Sequence, residues 1–195
     1  MATPSKVEQK LLKGNKKHVA EVAASGRKCG GEEASRHAII LTCMDARIDP
    51  LQFGHFGYDQ VYVVRNAGGR ASDDMIRSMI LTIRLFAVEE IIVVQHTDCG
   101  MEKVDDPTVR HLLHETLGPA HLGDKVKGHD KGNYDKYHQA DYIAFLAFPE
   151  VEQSVVNDVA KLRQNPLISK KVKLAGYVYD VETGKLRKID TSKVE

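Results

Sequence analysis

Cysteine is scarce in this sequence, occurring only as Cys29, Cys43 and Cys99. An odd count with no secretory leader argues against a disulfide framework; in a reducing compartment a spaced cysteine is a metal ligand, a nucleophile or a small core residue. Charge of one sign is also lacking: 28 Lys and Arg against 27 Asp and Glu leave a formal net charge of +1. That balance argues against the broad basic footprint used on nucleic acid or anionic membrane. No apolar run approaches the roughly 20 residues that span a bilayer. The opening MATPSKVEQKLLKGNKK has neither an unbroken apolar segment nor an Arg-rich amphipathic pattern, so no leader is expected and a cytoplasmic location is the simplest reading. What is present, 42% hydrophobic and 28% charged residues over 195 positions, suits a single domain with a substantial core.

Apolar residues Val7, Leu11, Leu12, Val19 and Val22 recur at helical spacing over about residues 5–24, which predicts an amphipathic leading helix. Residues 25–36 are small, polar and glycine-rich, hence a loop, so that 1–34 reads as a helical arm. Three short β-branched runs follow: His37–Thr42 ending in Cys43, Val61–Val64 ending in Arg65-Asn66-Ala67-Gly68-Gly69, and Ile91–Gln95 ending at His96. Such continuous apolar runs suit strands covered on both faces by helices. A helix starting at Ser72 would carry Met75, Met79, Ile83, Phe86 and Ala87 on one stripe, with Ser72 as N-cap and Asp73 and Asp74 at the positive end of its dipole. A second, opened by Pro149, puts Val151, Val155, Val159 and Leu162 on one face and stops at Asn165-Pro166. A strand over Lys173–Val178 and a hairpin partner near Leu186–Ile189 complete the pattern. Alternation of strand and helix predicts an α/β fold with a mainly parallel sheet flanked by helices. Residues 102–147, rich in His, Gly, Asp and Lys with one helix near Thr108–Leu117, read as an insertion or lid.

In open α/β sheets ligands collect at the carboxyl ends of the strands. If these strands are neighbours, Cys43, His96 and Cys99 converge there. Two thiolates and an imidazole are a zinc-favouring set, and three protein ligands leave the fourth position that catalysis needs. A bound water could there lose a proton near neutral pH. Asp45, two residues before Arg47, would stay ionised in a bidentate pair and could orient that nucleophile by accepting its hydrogen bond. Taken singly, each element has a plainer reading: a buried strand-end cysteine is usually a small core residue, and an Asp-x-Arg pair usually a weak surface contact.

Cys43-Met-Asp45-Ala-Arg47 and His96-Thr-Asp-Cys99-Gly100 resemble the C-x-D-x-R and H-x-x-C motifs of β-carbonic anhydrases, with Arg65-Asn66-Ala67-Gly68 in the place of that family's R-N-A-G segment. The closing Gly176-Tyr-Val-Tyr-Asp-Val-Glu-Thr-Gly-Lys-Leu186 resembles the family's last strand and hairpin. The resemblance implies a parallel sheet with an added antiparallel C-terminal strand. It implies a zinc enzyme that hydrates carbon dioxide reversibly to bicarbonate with zinc-bound hydroxide, one ion per subunit held by Cys43, His96 and Cys99. Asp45 and Arg47 would form the catalytic dyad, and the Gly100 N–H would contact substrate. A homodimer or dimer-based oligomer is implied as well, and in some members the Asp corresponding to Asp45 closes onto zinc. Plant-type members carry a substrate-contacting Gln where Gly57 stands here. The wording TCMDAR, RNAGGR and QHTDCGM resembles a compact branch that also contains carbonyl sulfide hydrolases, which makes carbonyl sulfide the alternative substrate.

Two further readings stand beside these. A non-catalytic zinc-stabilised module would need Cys29 or Asp45 as a permanent fourth ligand. A nucleotide-binding domain is suggested only by the Gly pair after Arg65, without a G-x-G-x-x-G or phosphate-loop Lys motif. Of the residues left over, His111, His114, His121, His129 and His138 read as solvated loop side chains, Cys29 as a bystander thiol, and Asp98 as a ligand-supporting group or a helix cap.

Overall fold

A computed structural model describes residues 4–26, 37–57, 59–117 and 138–192. Residues 1–34 and 35–195 form two compact units. In the first, helix α1 (Lys6–Ser25) starts in a reciprocal capping box between Ser5 and Glu8 and ends at Gly26 in the left-handed conformation. None of its side chains is buried, and Val7, Leu11, Leu12 and Val19 are exposed.

The second unit is built on a five-stranded sheet: β1 (Ala38–Cys43), β2 (Val61–Asn66), β3 (Glu90–His96), β4 (Lys173–Tyr179) and β5 (Leu186–Ile189), in the order β2-β1-β3-β4-β5. The first four are parallel and β5 is antiparallel to β4. The apolar runs behave as their composition demands: Ile39, Ile40 and Leu41 of β1 and Ile91, Val93 and Val94 of β3 are buried, as central strands covered on both faces must be. Helix α5 (Val151–Gln164) buries the expected Val151, Val155, Val159 and Leu162 and packs on β3 and β4. Each such aliphatic burial contributes about 1.5–3 kcal/mol. The close approach requires a glycine at Gly176, where an added Cβ would run into Val155 Cγ1.

Helix α3 (Asp73–Phe86) carries part of the expected stripe: Met79 is buried, and Met75 and Ile83 pack against the core. Ile76 and Met79 are its buried residues, whereas Phe86 is 57% exposed and Ala87 lies beyond the helix at φ 52. Ser72 has the backbone geometry of an N-cap but no capping hydrogen bond, because its Oγ accepts from Asn66 Nδ2. Glu150, rather than Pro149, caps α5, accepting from the N–H groups of Glu152 and Gln153. A four-residue helix α2 (Pro50–Phe53) with Asp49 as its cap had no counterpart in the sequence pattern. Helix α4 spans Asp106–Leu117. Within the insertion, 118–137 lie outside the described residues, as do Cys29 and most of the loop around it. Among the described residues no helix is long and apolar enough to cross a membrane.

The chain leaves β1 for β2 on one side and later returns to β3 on the other, so the sheet reverses its winding between β1 and β3. Crevices for ligands open at such switch points. Here Cys43 ends β1 and His96 ends β3. The floor is set by the turn Ala67–Gly69 after β2, where Gly68 and Gly69 adopt φ of 78° and 65°. A Cβ on Gly69 would lie 2.8 Å from both Cys43 N and Thr42 C. Gly69→Ala should therefore destabilise the protein by about 2 kcal/mol or more in urea unfolding. Gly100→Ala, where an added Cβ meets nothing within 4 Å, should stay within about 0.5 kcal/mol of the parent; equal losses for the two would contradict this packing.

Candidate metal centre

Cys43, His96 and Cys99 are 4%, 0% and 1% exposed, and their donor atoms all lie within 4.8 Å of one another. Each arrives by a different local device. Cys43 is delivered by β1. His96 is delivered by β3, and its Nδ1 lies 2.8 Å from the Thr97 carbonyl, to which it donates in the tautomer that leaves a lone pair on Nε2. Cys99 is swung back by Asp98, whose φ of 56° reverses the chain. That turn is pinned to the end of β4: the Thr97 N–H donates to the Tyr179 carbonyl at 3.0 Å and Thr97 Oγ1 accepts from Val181 N–H at 3.1 Å.

The electrostatics follow from packing two sulfurs and a ring nitrogen together in a buried cluster. The Cys43 thiol is held well below its ordinary value, chiefly because Cys99 donates a hydrogen bond to it; burial opposes this, and His96 and nearby backbone N–H groups assist. One of those groups is the Gly68 N–H, 3.3 Å from Cys43 Sγ. Cys99 is pushed up, by that same bond to Cys43 and by burial. Burial works against a charge on His96, yet the neighbouring Cys43 sulfur raises its pKa above the usual value. His96 Nε2 is fully buried and has no nitrogen or oxygen partner. An orphaned imidazole nitrogen facing two sulfurs is the donor set of a zinc ion. The residues fit that metal, and with three protein donors they leave one coordination position for a reactant.

The rim is a web of charge-assisted bonds. Asp45 Oδ1 accepts from the N–H and Nε of Arg47 at 2.9 and 3.0 Å, and Oδ2 from Nη2 at 2.8 Å. Arg47 also grips Asp98, through Nη1 to Oδ2 at 2.7 Å and Nη2 to the carbonyl at 2.9 Å. Arg47 thus holds Asp45 far below the ordinary carboxylate range. Asp98 is lowered to about 2 by Lys103 first and Arg47 second. Asp45 Oδ2 stands 4.0 Å from His96 Nε2, so a permanently ionised carboxylate looks onto the donor cluster. Asp98 is therefore a support for Arg47 and not a helix cap.

Arg65 was legible only as part of a motif, and its work is structural: Nε donates to the Cys43 carbonyl at 2.9 Å, Nη2 to those of Asp45 and Ile48 at 2.7 and 3.0 Å. It clamps the loop that carries Asp45 and Arg47. The Gly pair after it is committed to Cys43 through the Gly68 N–H, which removes the phosphate-cradle reading. Gly57 donates to Gln60 Oε1 at 2.7 Å, so the glutamine nearest the plant-type position closes its own turn. Of the insertion histidines, His114 pairs with Asp141 and stacks on His138, while His121 and His129 lie outside the described residues.

An α/β sheet carrying a Cys-His-Cys cluster at its switch point has the arrangement of a candidate catalytic metal centre. A family model described as carbonic anhydrase matches residues 38–186. The carbon disulfide hydrolase of Acidianus sp. is 35% identical over 170 residues, covering 83% of this chain and 81% of that protein. The β-carbonic anhydrase 1 of Mycobacterium tuberculosis is 30% identical over 155 residues, covering 80% and 83%. The crystal structure of carbonic anhydrase from Streptococcus mutans superposes with a TM-score of 0.78 at 28% identity, covering 97% of this chain and all of that one. The chain belongs to the β-carbonic anhydrase family of enzymes.

The depressed pKa of Asp45 fixes the sign of an acid effect. Its ion pair contributes stability that is complete above the unfolded value near pH ~4 and is lost as pH falls through the lower folded value. On chelator-treated protein, Asp45→Asn should trail the parent in urea midpoint at about pH 7, and the gap should narrow steadily as pH drops below about 4; a gap undiminished in acid contradicts the pairing.

Proposed function

We propose that this protein hydrates carbon dioxide reversibly to bicarbonate with one zinc ion per subunit, held by Cys43, His96 and Cys99. The observation that carries the reading is the meeting of these three buried donors beside an Arg-locked carboxylate, in a chain of this family. Zinc bound there would supply the Lewis acidity that makes water a nucleophile near neutral pH. Arg47 keeps Asp45 ionised, and an ionised carboxylate can only accept hydrogen bonds, so Asp45 orients the hydrogen of whatever attacks the carbon. Gly100, at the start of the turn after Cys99 and open on its α-carbon side, offers its N–H to the substrate's oxygen. For Asp45 to close onto the metal it would have to leave Arg47, which makes any such closure a two-state exchange of partners.

The second reading replaces oxygen by sulfur. Carbonyl sulfide and carbon disulfide are linear electrophiles of the same shape, and the Acidianus relative is named for the latter. Carbonyl sulfide hydrolysis would use the same residues and release hydrogen sulfide. A non-catalytic zinc module needs a fourth protein donor, and among the described residues the cluster has three.

The protein is proposed to be cytoplasmic and to act as a homodimer or dimer-based oligomer, in which residues 1–34 form an arm on a single catalytic domain and 102–147 a lid. Support for assembly comes from apolar side chains left in solvent: Val7, Leu11, Leu12 and Val19 on α1, and Leu81, Leu85 and Phe86 on α3. Light scattering should return at least twice the 21.7 kDa chain mass.

The deciding assay runs stopped-flow carbon dioxide hydration beside sulfide release from carbonyl sulfide and carbon disulfide. Fast hydration with trace sulfide is expected; the reverse establishes the sulfur reading, and silence in all three sinks both. Cys43→Ser and His96→Ala should lose zinc and activity together, and Asp45→Asn should keep zinc while turnover falls about 10²-fold.

A further inference from the structure

The apolar face of α5 contains one charged residue, Asp158, only 3% exposed. Three donors converge on it: Arg70 Nε at 2.7 Å and Nη2 at 3.2 Å, and Gln95 Nε2 at 2.8 Å. The Arg70 side chain is itself nearly buried, its Nη1 donates to the Leu146 carbonyl at 2.6 Å, and its guanidinium lies 5.3 Å from the Phe148 ring centre. Stability alone does not account for such a pair, since well-packed apolar replacements of a buried ion pair are often neutral or stabilising.

What the pair holds is informative. Arg70 follows the Gly68–Gly69 turn directly, and its own backbone is bracketed by Asn66, which accepts from the Arg70 N–H at 2.7 Å and donates to its carbonyl at 2.8 Å. The same turn presents the Gly68 N–H to Cys43 Sγ. Gln95 immediately precedes His96 and has a buried Oε1 without a partner, so it contributes through its donor to Asp158. One buried carboxylate therefore grips both the turn that touches the first sulfur and the residue beside the imidazole.

We propose that Arg70, fixed by Asp158, is a positioning residue for the metal centre: the buried Arg70–Asp158–Gln95 network holds the Ala67–Gly69 turn so that the Gly68 N–H stays on the Cys43 thiolate, and thereby sets metal affinity and the electron-donating strength of that sulfur. Groups that orient a ligand in this way typically govern 10–100-fold in metal affinity. The inference rests on Cys43, His96 and Cys99 being the zinc ligands.

The test uses the full-length protein and three readouts: zinc affinity by chelator competition, the thiolate-to-metal charge-transfer band after cobalt substitution, and the thermal midpoint. The triple variant Arg70→Met/Gln95→Met/Asp158→Leu removes both charges, and the buried amide that would otherwise lose its acceptor, at similar volume. It should keep a midpoint near the parent's while zinc affinity falls about 10–100-fold and the band shifts. Arg70→Lys, which retains the charge but not the fork, should fold and show the same direction of change. Met79→Ala, a destabilising change at a fully buried position of α3 outside the network, should lower the midpoint and leave affinity and band alone. Parent-like affinity and band in both Arg70 variants would overturn the proposal, as would affinity losses that merely track the midpoint across all three proteins. A parent protein that binds zinc with unchanged variants overturns the positioning role alone; a parent that binds no zinc overturns the ligand set as well.

Discussion

A buried sulfur, Cys43, whose surroundings favour its ionised form is the constraint around which this molecule is arranged. Removing a charge from water is expensive unless oriented partners replace the solvent, and Cys43 obtains four: a hydrogen bond from Cys99, the influence of His96, and the N–H groups of Asp45 and Gly68. Each partner sits where it does because of something farther away. The reversal at Asp98 brings Cys99 in, β3 pairing brings His96 in, and two successive left-handed glycines bring the Gly68 N–H in. The sheet supplies the convergence, and the loops supply the compensation.

Around that sulfur the charges are layered in a consistent way. Inside, the buried donors Cys43, His96 and Cys99 face one another. At the rim, Arg47 divides itself between Asp45 and Asp98, and Lys103 completes the neutralisation of Asp98. Arg65 spends its donors on backbone carbonyls, fixing the path of the loop between Cys43 and Ile48. The result is a carboxylate whose direction is set by three hydrogen bonds from Arg47 before any reactant arrives, the kind of preorganisation that lowers the reorganisation required during a reaction.

Much of this was legible in the sequence, and the limits were physical. β1 and β3 announced themselves as β-branched runs ending in Cys43 and His96, because a doubly covered strand tolerates little else. The stripe Val151, Val155, Val159 and Leu162 was readable since helical period and burial coincide there. The α3 stripe slipped at its end because Phe86 is turned outward toward Tyr62, with ring centres 5.9 Å apart, a tertiary choice that periodicity does not encode. Ser72 failed as a cap because Asn66 competes for its hydroxyl. Asp158 left a faint signal, one acid inside an apolar face, but its partners Arg70 and Gln95 come from segments that only the strand order brings together.

That strand order has a consequence for how the centre comes into being. His96 and Cys99 lie on one short stretch of chain, so two of the three donors are local. Cys43 belongs to a strand formed far earlier in the sequence, and it meets them only when β1 and β3 zip in parallel, a non-local pairing that carries a large loop-closure entropy. Were an ion held by all three donors, its capture would wait for a correctly threaded sheet. A chain that paired its strands in another order would bring only His96 and Cys99 together, so such a centre would double as a proofreading mark on the topology.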